Sequence, residues 1–167
     1  MKNWEHLIQT GMAEMAPPEI AEPALDEVMA RISQSDTEAS DRLMRIIRSH
    51  FNVVQFKKDA VIIDYGQRNR QLMFRHTGSV RIFMKINKAW SKEGWVSNHK
   101  DTIFVTQPPY SNRPSTNKMV VEEPAVFVTL PWDDHEYLSG KYRIFSCFAL
   151  YTAMSFSKEV NRRFRTA

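Results

Sequence analysis

Apolar residues recur at two spacings along this chain, and the change falls near Phe51. Before it the period is helical. Trp4, Leu7, Ile8 and Met12 share one face of a helix expected over residues 3–15. Pro17-Pro18 stops that helix and opens a second over 18–33, striped by Ile20, Ala24, Leu25, Val28, Met29 and Ile32. Pro23 interrupts the stripe, and a helix start there is the alternative. Ser35-Asp36-Thr37-Glu38 offers N-cap residues for a third helix running to Ser49, apolar along Leu43, Met44, Ile46 and Ile47. Arg42, Arg45 and Arg48 share an edge expected to face solvent.

From Phe51 the alternation has a period of two, which is that of half-buried strands. Strands are expected at 52–56, 60–64, 71–76, 79–87, 95–98, 102–106, 118–122 and 125–130, the last two broken at Pro124. Gly78 reads as the corner of a hairpin, with Val80, Ile82, Met84 and Ile86 on one face of its second arm and Arg81, Phe83 and Lys85 on the other. Residues 107–117 form a polar, proline-rich loop. Pro131 opens a short helix that Gly140 ends, and residues 141–164 make a long one with Phe145, Phe148, Thr152 and Phe156 on a stripe. The expected fold class is α+β. An antiparallel β-roll of jelly-roll type spans 51–140 with its short helix, between an N-terminal helical arm, 1–50, and a C-terminal helix, 141–167.

Composition adds limits. Ten Phe, nine Met, five Tyr and four Trp supply a core, and no apolar run approaches the ~20 residues of a membrane helix. One cysteine, Cys147, forms no internal disulfide, and the N-terminus lacks an apolar signal core; both predict a cytoplasmic protein. The net charge of +4 divides unevenly, −4 over residues 1–50 and +8 over 51–167, so the acidic arm is a candidate to dock on the basic body or on a partner. A cupin-like metalloenzyme is a third reading that trails the others, since His76 and His99 belong to no His-x-His pair and no paired Glu sits at the needed spacing. Cys147 and the serines lie in no nucleophile motif, and no catalytic residue, metal or cofactor is expected.

The order of these elements carries a resemblance. Phe56-Lys-Lys-Asp-Ala-Val-Ile, Asp64-Tyr-Gly, Leu72-Met-Phe-Arg-His-Thr-Gly-Ser-Val-Arg-Ile-Phe, Glu93-Gly-Trp-Val, Lys100-Asp-Thr-Ile-Phe and Val121-Glu-Glu-Pro-Ala-Val-Phe-Val-Thr-Leu fall in one register. Over residues 40–160 the chain resembles the cyclic-nucleotide-binding-domain family, and within it the sensor domain of Crp/Fnr-type transcription regulators, in the divergent form of Bacteroidetes-type bacteria. The resemblance implies an RmlC-like jelly roll that senses a ligand and dimerises through its long helix.

Two departures bear on function. The family's phosphate cassette resembles Gly-Glu-Leu/Ile-Ala followed by Arg-Ser/Thr-Ala, whereas residues 107–117 contain no glycine and three prolines, Pro108, Pro109 and Pro114, with no N–H to donate. Cyclic AMP is therefore not the expected ligand. The chain also stops at Ala167, without the helix-turn-helix half that the resemblance would add, so DNA binding by this chain alone is not expected. The expected ligand is small, an anion among the candidates, held near Arg75, Arg81, Trp95, Arg113, Ser115 and Thr116. Arg75 and Arg81 qualify only if their faces point inward. Phe145, Phe148, Thr152 and Phe156 would form the homodimer interface, or else pack on the chain's own roll. The alternative function is a degenerate roll that works by dimerisation or docking.

Overall fold

The structure, a computed structural model, describes residues 4–34, 39–68, 70–86, 89–90, 95–97, 103–104, 114–115 and 117–148; of residues 84–86, 89–90, 95–97 and 103–104 it describes the backbone. Four helices and eight strands occur among them. In chain order they are α1 (Glu5–Gln9), β1 (Ala13–Met15), α2 (Pro18–Ser33), α3 (Asp41–Arg48), β2 (Asn52–Phe56), β3 (Val61–Ile63), β4 (Gln71–Ile86), β5 (Ala89–Trp90), β6 (Trp95–Ser97), β7 (Ile103–Phe104), β8 (Asn117–Pro131) and α4 (Trp132–Lys141). Residues 143–148 are also helical.

Every strand pairing is antiparallel. The main path runs β1-β2-β8-β4-β5, while β3 pairs with β8, and β6 and β7 pair with β4. The sheet is therefore built around two long strands, β4 and β8, and curls about them into the β-roll.

The expected hairpin at Gly78 does not exist. Residues 71–86 are one strand, and its two arms both pair with β8 instead of with each other. Gly78 does take φ of +83°, but it makes a kink inside the strand, not a corner. The register jumps from Arg75↔Phe127 to Thr77↔Val126, then to Ser79↔Glu123 and Val80↔Val121, stepping over His76 and Gly78. Pro124 sits on β8 at this same interruption, where the ladder is already broken, so its missing N–H does not end the strand.

The kink folds each long strand, and it creates the inner core. Met73, Val80 and Ile82 from both arms of β4 meet Met119, Val121, Ala125 and Phe127 from both arms of β8. Val54, Phe56, Ile62 and Ile63 join them, and Trp4 and Leu7 of the N-terminal segment pack there too. The other face of one arm carries Leu72, Phe74, Val126, Val128 and Leu130. Against it lie Ala24, Val28, Met29 and Ile32 of α2, Ile47 of α3, Leu138 of α4, and Phe145 and Phe148.

The N-terminal arm departs from the expected boundaries. The first helix ends at Gln9, because Gly11 at φ +77° turns the chain, and Ala13–Met15 becomes an edge strand on Val54–Phe56. Helix α2 starts at Pro18 and continues through Pro23, so the start at Pro23 is excluded. Helix α3 begins after Ser40, whose Oγ accepts from the Leu43 N–H at 3.2 Å; residues 35–38, expected as its cap, lie outside the described residues. Gly140 lies within α4, and the break comes instead at Tyr142, which is extended. Among the described residues no helix is long and apolar enough to cross a membrane.

Candidate functional site

Among the described residues, the inner face of the roll is apolar except along one short stretch. Gln71, Met73 and Arg75 alternate on β4 with Leu72, Phe74 and His76, and the second set faces the helices. Met73 is inner core, and its cross-strand partner is Thr129; the partner of Arg75 is Phe127, also inner core. Directly paired residues share a face, so Gln71, Arg75 and Thr129 surround Met73 on the inner side. They are 1%, 4% and 0% exposed. Residues two apart on a strand lie roughly 7 Å from each other, which makes this a single polar cluster. Burial strips water from the Arg75 guanidinium and lowers its pKa. The Thr129 hydroxyl reaches the Asn52 carbonyl at 3.5 Å.

Arg81 does not join them. Strict alternation would put Arg75 and Arg81 on one face, but at His76 the register advances two residues on β4 against one on β8, which inverts the parity between them. Val80 and Ile82 point into the inner core, and Arg81 lies opposite. There its Nε and Nη2 donate to both carboxylate oxygens of Glu122 at 3.1 and 3.0 Å. The hydrogen bonds raise the Arg81 pKa and lower that of Glu122. The condition set for Arg81, an inward face, is not met: Arg81 is half of a partly exposed ion pair.

Ser115 is buried, and its bonds are structural. Its Oγ donates to the Asn117 carbonyl at 2.9 Å and accepts from the Asn117 N–H at 3.1 Å. Its backbone brackets the turn at 66–67, donating to the Gln67 carbonyl at 2.7 Å and accepting from the Gly66 N–H at 2.9 Å. Arg113, Thr116, Thr152 and Phe156 lie outside the described residues, and the Trp95 backbone is in β6, opposite Ile82.

Phe145 and Phe148 pack on their own chain. They are 0% and 1% exposed, and Phe148 stacks on Phe74 with ring centroids 5.7 Å apart. Phe145 meets His135 edge-on at 5.4 Å, and Trp132 meets the same ring at 5.0 Å. Of the two arrangements open to this stripe, these two positions take the intramolecular one. His135 lies between the Trp132 and Phe145 rings, and burial lowers its pKa from 6.5 to about 4.

A second feature lies between α2 and the sheet. The Glu27 carboxylate accepts from Arg31 Nη2 at 3.3 Å and contacts His76 Nδ1 at 2.7 Å across to β4. Beside them is a small crevice, with room for about one water molecule, lined by Ala24, Val28, Phe74, Arg75 and Val128. Further along α2, Arg48 of α3 joins Glu22 and, at 2.7 Å, Asp26. The edge of arginines expected to face solvent thus gives Arg48 to a helix–helix tie. Sequence signals for these pairs were faint, because ion pairs across elements have no fixed spacing. Among the described residues no three His, Cys, Asp or Glu converge as a metal site.

The architecture defines the class: a curled antiparallel roll with α2, α3 and α4 gathered on one face. No family model matches the sequence, and no curated protein matches it. Solved structures do. A cyclic nucleotide-binding domain from Methylobacillus flagellatus superposes with a TM-score of 0.73 at 13% identity, over 100% of this chain and 96% of that one. The catabolite activator protein of Thermus thermophilus gives 0.57 at 13% identity, over 81% of this chain and 62% of its own. The sensor domain of the transcriptional regulator DNR from Pseudomonas aeruginosa gives 0.56 at 12%, over 82% and 87%. The fold of this chain is that of the cyclic nucleotide-binding domains, as the resemblance in its sequence implied.

Proposed function

We propose that this chain is a ligand-sensing regulatory module whose ligand is a small anion-bearing molecule other than cyclic AMP, held on the inner face of the roll. The observation that carries the reading is a guanidinium, Arg75, 4% exposed and paired across the sheet with the inner-core residue Phe127. Gln71 and Thr129 add polar groups beside it. The proline-rich loop, 107–117, supports the exclusion of cyclic AMP, since three of its residues have no N–H for a phosphate. The sensor likeness of the fold supports a regulatory role with no catalytic step.

A thermal-shift screen with cyclic AMP, cyclic GMP, inorganic phosphate and a panel of small carboxylates tests this. An anion raises the melting temperature in the native chain, and Arg75→Met abolishes the shift. A cyclic nucleotide that stabilises both proteins equally overturns the reading.

The packing of the described inner-core residues favours a second reading, in which the roll binds nothing and works by dimerisation. Its interface would draw on Thr152 and Phe156. Light scattering decides, because a monomeric mass at high protein concentration removes it.

A further inference from the structure

We infer that Arg75 and His76 couple the inner face of the roll to helix α2, with the His76–Glu27 contact as the link that carries the coupling. The inference rests on the reading of the inner face as the ligand's side. The two residues are consecutive on β4 but serve opposite faces. Arg75 lies on the inner wall opposite Phe127, and the His76 imidazole reaches Glu27 of α2 at 2.7 Å. Between them the strand leaves its regular ladder. The register with β8 steps over His76 and again over Gly78, so this is the part of β4 least fixed by its neighbour. A shift of Arg75 therefore passes to His76 with little resistance from the sheet.

The helix side of the link is less tightly seated at this point. Elsewhere α2 seats Met29 and Ile32 in the outer core, but beside Glu27 the packing leaves the small crevice. The Glu27 carboxylate is shared between two partners, Arg31 on its own helix at 3.3 Å and His76 on the sheet at 2.7 Å. Loss of the second leaves the first intact, so α2 can release the sheet at this point without stranding its carboxylate. Occupancy of the inner face would then be read on the outside as the seating of α2.

The test needs no ligand, so its failure is distinct from failure of the anion screen. Amide exchange in α2 is followed in the full chain, in Arg75→Met, in His76→Gln and in the double variant. Arg75→Lys is carried alongside, in case the methionine variant fails to fold. Each single substitution speeds α2 exchange on the order of tenfold, the scale of one charge-assisted hydrogen bond, while β2 keeps its protection. The double variant exchanges no faster than His76→Gln. Multiplied effects in the double variant, or α2 exchange unchanged by both substitutions at Arg75, overturn the inference.

Discussion

At Gly78 a methyl group has nowhere to go. A Cβ built there would lie 2.4 Å from the Pro124 carbonyl oxygen and 2.5 Å from the Ala125 Cα, both backbone atoms of the facing strand. The positive φ adds its own penalty for any L side chain. Gly78→Ala is expected to cost about 3 kcal/mol or more, read as a lower urea midpoint, whereas Gly11→Ala meets no atom within 4 Å and pays for its φ alone. His135 gives a pH signature. Its pKa falls from 6.5 in the unfolded chain to about 4 in the fold, so across that window the unfolded state binds the extra proton. Stability is therefore full above the upper value and declines as pH drops toward the lower, by up to about 3 kcal/mol. Urea unfolding at pH 7 and pH 4.5 should show the decline, and His135→Phe should reduce it. At this scale the sequence was legible in part. Gly78 was visible as a residue with a special backbone, but turn and kink call for the same residue. Which face Arg75 and Arg81 occupy depended on a bulge between them that no alternation pattern reveals.

Among the elements, α3 and the terminal aromatic helix make the clearest predictions. The Ser40 cap on α3 is one hydrogen bond at a helix of eight residues. Ser40→Ala is expected to cost about 1 kcal/mol, measurable by chemical denaturation, with Ser40→Asp close to neutral. Phe148 fills the outer core against Phe74, and Phe148→Ala is expected to lose about 3–5 kcal/mol. That loss should appear at any protein concentration, because the contact is within the chain; a loss that shrinks as protein is diluted would place Phe148 at a subunit interface instead. Helices with long apolar stripes were readable: Ala24, Val28, Met29 and Ile32 are all buried as their spacing required. Strand β1 was not, since three residues hold too little alternation to be separated from the helix before them. The two long strands each looked like a broken pair because Gly78 and Pro124 are the usual punctuation of loops. Placed opposite each other, they mark one shared irregularity.

For the whole molecule, the fold class was legible from period, whereas the charge split left open whether the acidic arm docks on the basic body, meets a partner or stays solvated. The arm does dock, through the apolar stripe of α2 and the Glu27–His76 contact. Which residues meet in the interior was not legible, because that depends on how two strands bend. One consequence follows from the place of β8. Strands β2, β3 and β4 all find their main partner in it, yet it is made last of the four. A nascent chain emerging from the ribosome thus holds three waiting strand edges until residues 117–131 are translated. Closing such distant pairings is slow, and the exposed edges are open to other chains meanwhile. Production of this protein should then gain more from slower synthesis or a chaperone than from any change to its surface.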